Sequence, residues 1–133
     1  MLFRRSRNET EASRTKSTGA LGEALAADYL SSIGYQLVCR NWRISSGELD
    51  LVAWDSCELV FIEVKTRKAS LYSEAHLLDS ITATKRRKLR RLAELFLLWN
   101  FRDAKYPSYR IDVIGLVVSG GAISSLRHLK GAM

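Results

Sequence analysis

The stretch that decides the fold runs from residue 47 to residue 66 of the 133-residue chain. Its two apolar halves read Gly47-Glu48-Leu49-Asp50-Leu51-Val52 and Phe61-Ile62-Glu63-Val64-Lys65-Thr66. Each half contains β-branched or aromatic residues, and a polar turn at Asp55-Ser56-Cys57 separates them, which predicts two neighbouring antiparallel strands. The rest of the chain is interpreted outward from this hairpin.

Period-two alternation predicts which charged residues of the hairpin share a face. In the second strand, Glu63 and Lys65 share a face with Phe61. In the first strand, one face carries Glu48, Asp50 and Val52. A register that places Asp50 opposite Glu63 brings the two carboxylates together, whereas a slip of one residue sends them to opposite faces.

An acidic strand residue beside a Glu-x-Lys pair fits a site for a divalent cation. Mg²⁺ or Mn²⁺ takes oxygen ligands, which the Asp50 and Glu63 carboxylates and the Val64 backbone carbonyl could supply. Lys65 could then orient or deprotonate the attacking water. The alternative is a set of ion pairs that only join the two strands, which are ordinary features of sheets.

Composition places the chain among globular single-domain proteins. Hydrophobic residues make up 47% and charged residues 26% of it, and no apolar run approaches the ~20 residues of a membrane span. We expect residues 1–14 to form a flexible basic arm and residues 15–133 to form one domain. The two cysteines, Cys39 and Cys57, indicate a reduced, cytoplasmic protein. The net charge of +7 favours nucleic acid over a membrane as partner.

Helical periodicity predicts a first helix from about Thr18, as its cap, to Ser32, with Gly34 just beyond its end. Glu23 falls on the apolar flank of this helix, although the pattern alone favours a solvated edge position for it. A strand at residues 35–43 and a turn at 45–47 then lead into the hairpin, which completes a three-stranded antiparallel meander.

A second helix is predicted from about Ser80 to Asn100, followed by strands at residues 109–118 and 122–129. The basic cluster at its start comprises Lys85, Arg86, Arg87, Lys88, Arg90 and Arg91. Lys85 falls on the inward side, and the others could contact phosphates or form a solvated face. Arg110 and Asp112, in the first of the late strands, are interpreted as a structural pair.

The helix–strand order resembles the restriction-endonuclease-like fold of type II restriction enzymes and archaeal Holliday-junction resolvases. The sequence motifs over residues 17–118 resemble those of the bacterial YraN family of small proteins. The matching segments are Gly19-x-x-Gly22-Glu23, Gly34-Tyr35, Asn41-Trp42-Arg43, residues 47–52, residues 61–67, Lys85 and residues 110–113. The resemblance implies an α/β fold of order αβββαββ with a central mixed sheet flanked by helices.

The same resemblance implies a metal-dependent nuclease site. Its catalytic residues would be Glu23, Asp50, Glu63 and Lys65, with Asp50, Glu63 and the Val64 carbonyl as metal ligands. Arg67 and the basic cluster would bind nucleic acid, DNA rather than RNA, and the protein could act as a homodimer. Two functions follow: a Mg²⁺-dependent endonuclease acting on DNA, including branched or damaged structures, or a non-catalytic nucleic-acid-binding protein with a nuclease-like fold.

Overall fold

The computed structural model describes residues 12–69, 81–102 and 105–132, so residues 1–11 of the predicted arm lie outside it. The elements occur in the predicted order αβββαββ. They are α1 (Ala12–Ser32), β1 (Gln36–Ile44), β2 (Gly47–Asp55), β3 (Glu58–Lys68), α2 (Ala83–Asn100), β4 (Tyr109–Ser119) and β5 (Ala122–Leu129). Neither helix within the described ranges is long and apolar enough to cross a membrane.

All five strands form one mixed sheet in the order β1-β2-β3-β4-β5. The first three strands form the predicted antiparallel meander, and β5 is antiparallel to β4. Between them β3 and β4 run parallel, as α2 lies in the connection and returns the chain to the edge from which β3 started. The carboxyl half of β3 therefore pairs with β4 on one side, whereas its pairing with β2 on the other side ends at Leu51–Ile62.

The two helices pack on opposite faces of this sheet. On one face, α2 contributes Leu89, Leu92, Ala93, Phe96 and Leu97 to a cluster with Trp42, Val52 and Phe61. On the other face, α1 contributes Ala26, Ala27 and Leu30 to a cluster with Leu51, Ile62 and Ile114. The apolar periodicity of both helices thus has a direct structural reason, and the sheet is the middle of three layers.

The first helix starts earlier than predicted, at Ala12 rather than Thr18. Thr18 therefore lies inside the helix and cannot be its cap; residues 12–17 contain neither glycine nor proline that would stop the helix. The other end agrees with the prediction. Gly34 has φ +93°, and the Tyr35 N–H donates to the Leu30 carbonyl at 2.9 Å, which is the left-handed turn that ends many helices.

The second helix begins at Ala83, three residues later than predicted. Thr82 caps it, because its hydroxyl accepts a hydrogen bond from the Lys85 N–H at 3.2 Å. The predicted start at Ser80 lies outside the described residues. Upstream, β3 continues through Arg67 to Lys68, beyond the predicted end of the strand at Thr66.

Gly22 holds α1 close to the end of β3. A Cβ atom at Gly22 would lie 1.8 Å from the Thr66 Oγ1 atom and 2.8 Å from Thr66 Cβ. Only glycine allows this approach, and the next residue along the helix is Glu23. The close contact therefore brings a helix carboxylate to the strand that carries Glu63 and Lys65.

We predict that Gly22→Ala destabilises the protein by about 1–3 kcal/mol, because α1 must move away from Thr66. Gly19→Ala is the matched control: it lies one turn earlier, and its added Cβ meets nothing within 4 Å. That control should be neutral or more stable, since alanine favours a helix over glycine by up to ~1 kcal/mol. Urea unfolding of both variants tests this, and equal stability of the two would contradict the close packing.

Candidate active site

The hairpin has the register that brings Asp50 opposite Glu63. Backbone pairs run from Asp55–Glu58 through Trp54–Leu59 to Leu51–Ile62, where the pairing of β2 with β3 ends. Beyond that pair the Val64 N–H donates to Asp50 Oδ2 at 2.9 Å. A side chain thus takes the place of a strand partner where the two strands separate, and the predicted register is confirmed.

The strict alternation predicted for β2 is wrong. Leu49 packs in the same cluster as Val52, on the α2 face of the sheet, although three positions separate them. The irregularity has a partner in β1, where Asn41 has φ +52° between the pairs Arg40–Leu51 and Trp42–Leu49. Both strands therefore change face at the level of Asp50, and Glu48 does not share the face of Val52.

A cleft of about 460 Å³ opens at this point, between α1 and the second half of β3. It brings together all four residues predicted as catalytic, namely Glu23, Asp50, Glu63 and Lys65. Val64 and Arg67 also line it. The contact of Val64 with Asp50 is through its N–H; its carbonyl as a metal ligand stays a prediction.

Three carboxylates form a compact group in and beside this cleft. Oxygen atoms of Glu23, Glu48 and Asp50 lie within 4.8 Å of one another. Glu48 was not among the predicted site residues. Alternation placed it on one face of β2 but did not indicate that Glu23 of α1 lies next to that face. The signal available in the sequence was its spacing of two from Asp50. Glu48 also pairs with the Arg43 guanidinium of β1.

Burial and the crowding of carboxylates raise the pKa values of Asp50 and Glu23. Burial is the largest cause for Asp50, and the charges of Glu63 and Glu23 add to it, so that its pKa reaches about 8 despite the hydrogen bond from Val64. Burial and the charge of Glu48 also raise the pKa of Glu23. A cation placed between these oxygens would relieve the repulsion.

Glu63 contacts two lysines. Its Oε1 atom lies 3.5 Å from Lys65 Nζ and 3.0 Å from Lys85 Nζ, and the residue is only 7% exposed. Burial and the neighbouring Lys85 lower the pKa of Lys65. Lys85, predicted to face inward and to bind nucleic acid, therefore reaches the candidate site from the first turn of α2.

The remaining residues of the basic cluster face away from the core. Arg86, Arg87, Lys88, Arg90 and Arg91 are all exposed, as is Arg67 on β3. Their exposure fits both phosphate contacts and an ordinary solvated face, so nucleic-acid binding by these residues stays a prediction.

Arg110 and Asp112 form the predicted structural pair, and neither lines the cleft. The Arg110 Nε–H donates to Asp112 Oδ1 at 2.9 Å. Asp112 is fully buried, and it also contacts His128 Nε2 at 2.7 Å and the Gly131 N–H at 2.9 Å. These contacts tie the end of the chain to β4 and, although burial acts the other way, lower the pKa of Asp112.

Comparison with known proteins identifies the family. The model of Uncharacterised protein family UPF0102, which corresponds to the YraN family, matches residues 22–116. The chain belongs to the YraN family. The matched span starts at Gly22 and includes every candidate catalytic residue, so the family pattern covers the cleft except for Thr18 and Gly19.

Relatives in the YraN family resemble the chain over most of its length. UPF0102 proteins of Mycobacterium bovis and Mycobacterium tuberculosis are each 45% identical to it over 118 residues, covering 85% of this chain and 89% of the relative. A UPF0102 protein of Mycolicibacterium gilvum is 42% identical over 115 residues, covering 85% of this chain and 90% of the relative.

Asp50 and Asp112 should respond to pH in opposite ways. Folding raises the pKa of Asp50 from its usual 3.8 to about 8, so the folded state holds more protons and stability falls as pH rises from 4 to 8. Asp50→Asn removes this loss while keeping an oxygen for the Val64 N–H. In EDTA at pH 8, the free energy of unfolding of the variant should equal that of the original protein or be higher by about 1 kcal/mol.

Asp112→Asn is the matched control. Because folding lowers the pKa of Asp112, its charge stabilises the folded state above pH ~4. Its removal should cost about 2 kcal/mol or more at pH 8, as it leaves the buried contacts of Arg110 weakened. Urea unfolding at pH 5 and pH 8 measures both. An Asp50→Asn variant that is clearly less stable at pH 8 would identify Asp50 as a structural partner.

Proposed function

We propose that the protein is a metal-dependent endonuclease that hydrolyses phosphodiester bonds of DNA, including branched or damaged structures. The observation that carries the proposal is the group of Glu23, Glu48 and Asp50, whose oxygens lie within 4.8 Å of one another beside the lysine-bound Glu63. A restriction-endonuclease-like fold, a cytoplasmic location and a homodimeric state are part of the same proposal.

The donor chemistry fits a hard divalent cation. Carboxylate oxygens are the ligands that Mg²⁺ and Mn²⁺ prefer. Burial, together with the like charges of Glu63 and Glu23, raises the pKa of Asp50, and a bound cation would favour its charged form. Asp50 belongs both to the compact carboxylate group and to the set formed with Glu63 and the Val64 carbonyl. It is therefore the ligand on which binding should depend most.

When bound, the cation would supply a Lewis acid that stabilises charge on the reacting phosphate and makes a water more acidic. The protein's own residues would position the cation and the reacting water. Asp50 is positioned by its hydrogen bond to the Val64 N–H. Glu63 holds the Lys65 ammonium at 3.5 Å, from where Lys65 can orient a water or neutralise the phosphate.

One observation favours the alternative of a non-catalytic nucleic-acid-binding protein. Glu63 is already paired with Lys65 and Lys85, an arrangement that could serve structure alone. A pure binding surface, however, has no use for a second group of three crowded carboxylates, since these repel phosphate. This repulsion is the reason we prefer the endonuclease.

Plasmid nicking tests the proposal. The purified protein should nick supercoiled DNA with Mg²⁺ or Mn²⁺ and not with EDTA. Asp50→Asn and Lys65→Ala should each reduce the rate by about 100-fold or more, as expected for loss of a group that stabilises the transition state or moves a proton.

Asp28→Asn and Lys105→Ala are matched controls, because both residues are exposed and neither lines the cleft. They should nick at the original rate. Tight DNA binding without any metal-dependent nicking would support the non-catalytic alternative instead.

The salt dependence of binding tests the basic cluster. If Arg86, Arg87, Arg90 and Arg91 contact phosphates, each alanine substitution should flatten the log–log slope of affinity against salt by about 0.9. Sequence preference should not change, because phosphate contacts position the protein without reading bases. Arg40→Ala, on exposed β1, is the control. An unchanged slope in the quadruple variant would leave the cluster as a solvated face.

A further inference from the structure

Trp99 is an exposed aromatic side chain at the last turn of α2. It is 67% exposed, whereas Trp42 is buried at 7% and Trp54 is half-buried. The guanidinium of Arg102 lies over its ring, 5.2 Å from the centroid. Exposing a large aromatic surface to water is unfavourable. A nucleobase could stack on the Trp99 ring and also contact the Arg102 guanidinium.

The end of α2, which carries Trp99, is ordered by contacts of the two residues that follow it. Phe101 ends the helix with its N–H donating to the Leu97 carbonyl at 2.9 Å, and Asn100 Nδ2 donates to the Phe96 carbonyl at 2.9 Å. Phe101 also packs edge-on against Trp54, with ring centroids 6.5 Å apart. These contacts order the backbone that carries Trp99, so that a base stacking on its ring would not have to order the helix end as well.

The position of Trp99 relates it to the cleft. Fourteen residues separate it from Lys85, which contacts Glu63, and at 1.5 Å per residue this places it about 21 Å along the helix from the site. Lys88 lies eleven residues before Trp99, close to three full turns, and so on the same side of the helix. Glu94 is the single acid in α2, which carries six basic residues.

We propose that Trp99 and Arg102 form a stacking site for an unpaired base of a nucleic acid whose backbone follows α2 from the cleft. This inference rests on the proposed function and names its substrate class: DNA with a single-stranded segment next to the duplex. At ~3.4 Å per stacked nucleotide, 21 Å corresponds to about six nucleotides. A strand that is paired throughout cannot present a free base face to Trp99.

Binding measurements with catalysis blocked by EDTA test this. A labelled hairpin duplex carries a thymidine tail of zero, three or nine nucleotides, with the tail at either end. Affinity should rise when the tail lengthens from three to nine nucleotides. Trp99→Ala should weaken binding of the nine-nucleotide substrate by about 5- to 150-fold, the range that base–aromatic stacking supplies, and should leave the blunt hairpin within about twofold.

Two variants serve as controls. Leu98→Ala removes the neighbouring side chain, which is 56% exposed, and should bind all substrates as the original protein does. Trp99→Phe keeps a stacking ring and should retain most of the preference for the long tail. The tail should also quench tryptophan fluorescence in the original protein, and this quenching should disappear in Trp99→Phe, because Trp42 and Trp54 are shielded.

Several outcomes would overturn the inference. Equal loss of blunt and tailed binding in Trp99→Ala, or an equal effect of Leu98→Ala, would show that no base is stacked. Self-association that Trp99→Ala abolishes in sedimentation experiments would assign the surface to a second copy of the chain. Duplex binding and nicking without any tail preference would refute the stacking site while the proposed endonuclease remained.

Discussion

The hydrogen bond from the Val64 N–H to the Asp50 carboxylate is the contact on which the site depends. It forms where backbone pairing between β2 and β3 stops at Leu51–Ile62. Had pairing continued, a strand carbonyl would have accepted this N–H, and the strands would have closed over the space that the cleft occupies. The separation of the strands and the fixed position of Asp50 are therefore one feature.

Three further constraints converge on the same place. Gly22 allows α1 to approach Thr66, which delivers Glu23. The positive φ of Asn41 accompanies the change of face in β1 and β2 at the level of Asp50, and Glu48 and Asp50 both approach Glu23 there. The first turn of α2 places Lys85 on Glu63. Because the side chains come from four elements, α1, β2, β3 and α2, the site exists only in the folded sheet–helix assembly.

The contrast between the two aspartates shows what distinguishes a reactive site from a structural one. Asp112 is fully buried but receives hydrogen bonds from Arg110, His128 and Gly131, which stabilise its charge. Within the described part of the chain, Asp50 has other carboxylates as neighbours and accepts a backbone hydrogen bond from Val64. Both residues are acids within strands, yet only the environment of Asp50 favours binding of an additional cation.

The sequence predicted most of the strands within one residue, and the register, because turn residues and alternating apolar positions specify both. It did not reveal the face change at Asn41 and Asp50, since a positive φ at a non-glycine residue leaves no mark in hydrophobic periodicity. Glu48 was missed although its spacing of two from Asp50 placed both on one face, because no pattern related Glu48 to Glu23 of α1. The start of α1 was misplaced because Thr18 resembles a cap, whereas the helix continues upstream through residues without a stop signal.

Diffraction from crystals soaked in Mn²⁺ tests the central claim most directly, because anomalous scattering locates the ion independently of any activity. The account predicts a peak within ~2.0–2.3 Å of an Asp50 carboxylate oxygen, with Glu23, Glu48 or Glu63 completing the protein ligands. Ions found only elsewhere on the protein, with Asp50 still bonded to Val64 and no peak beside it, would contradict a metal-dependent site.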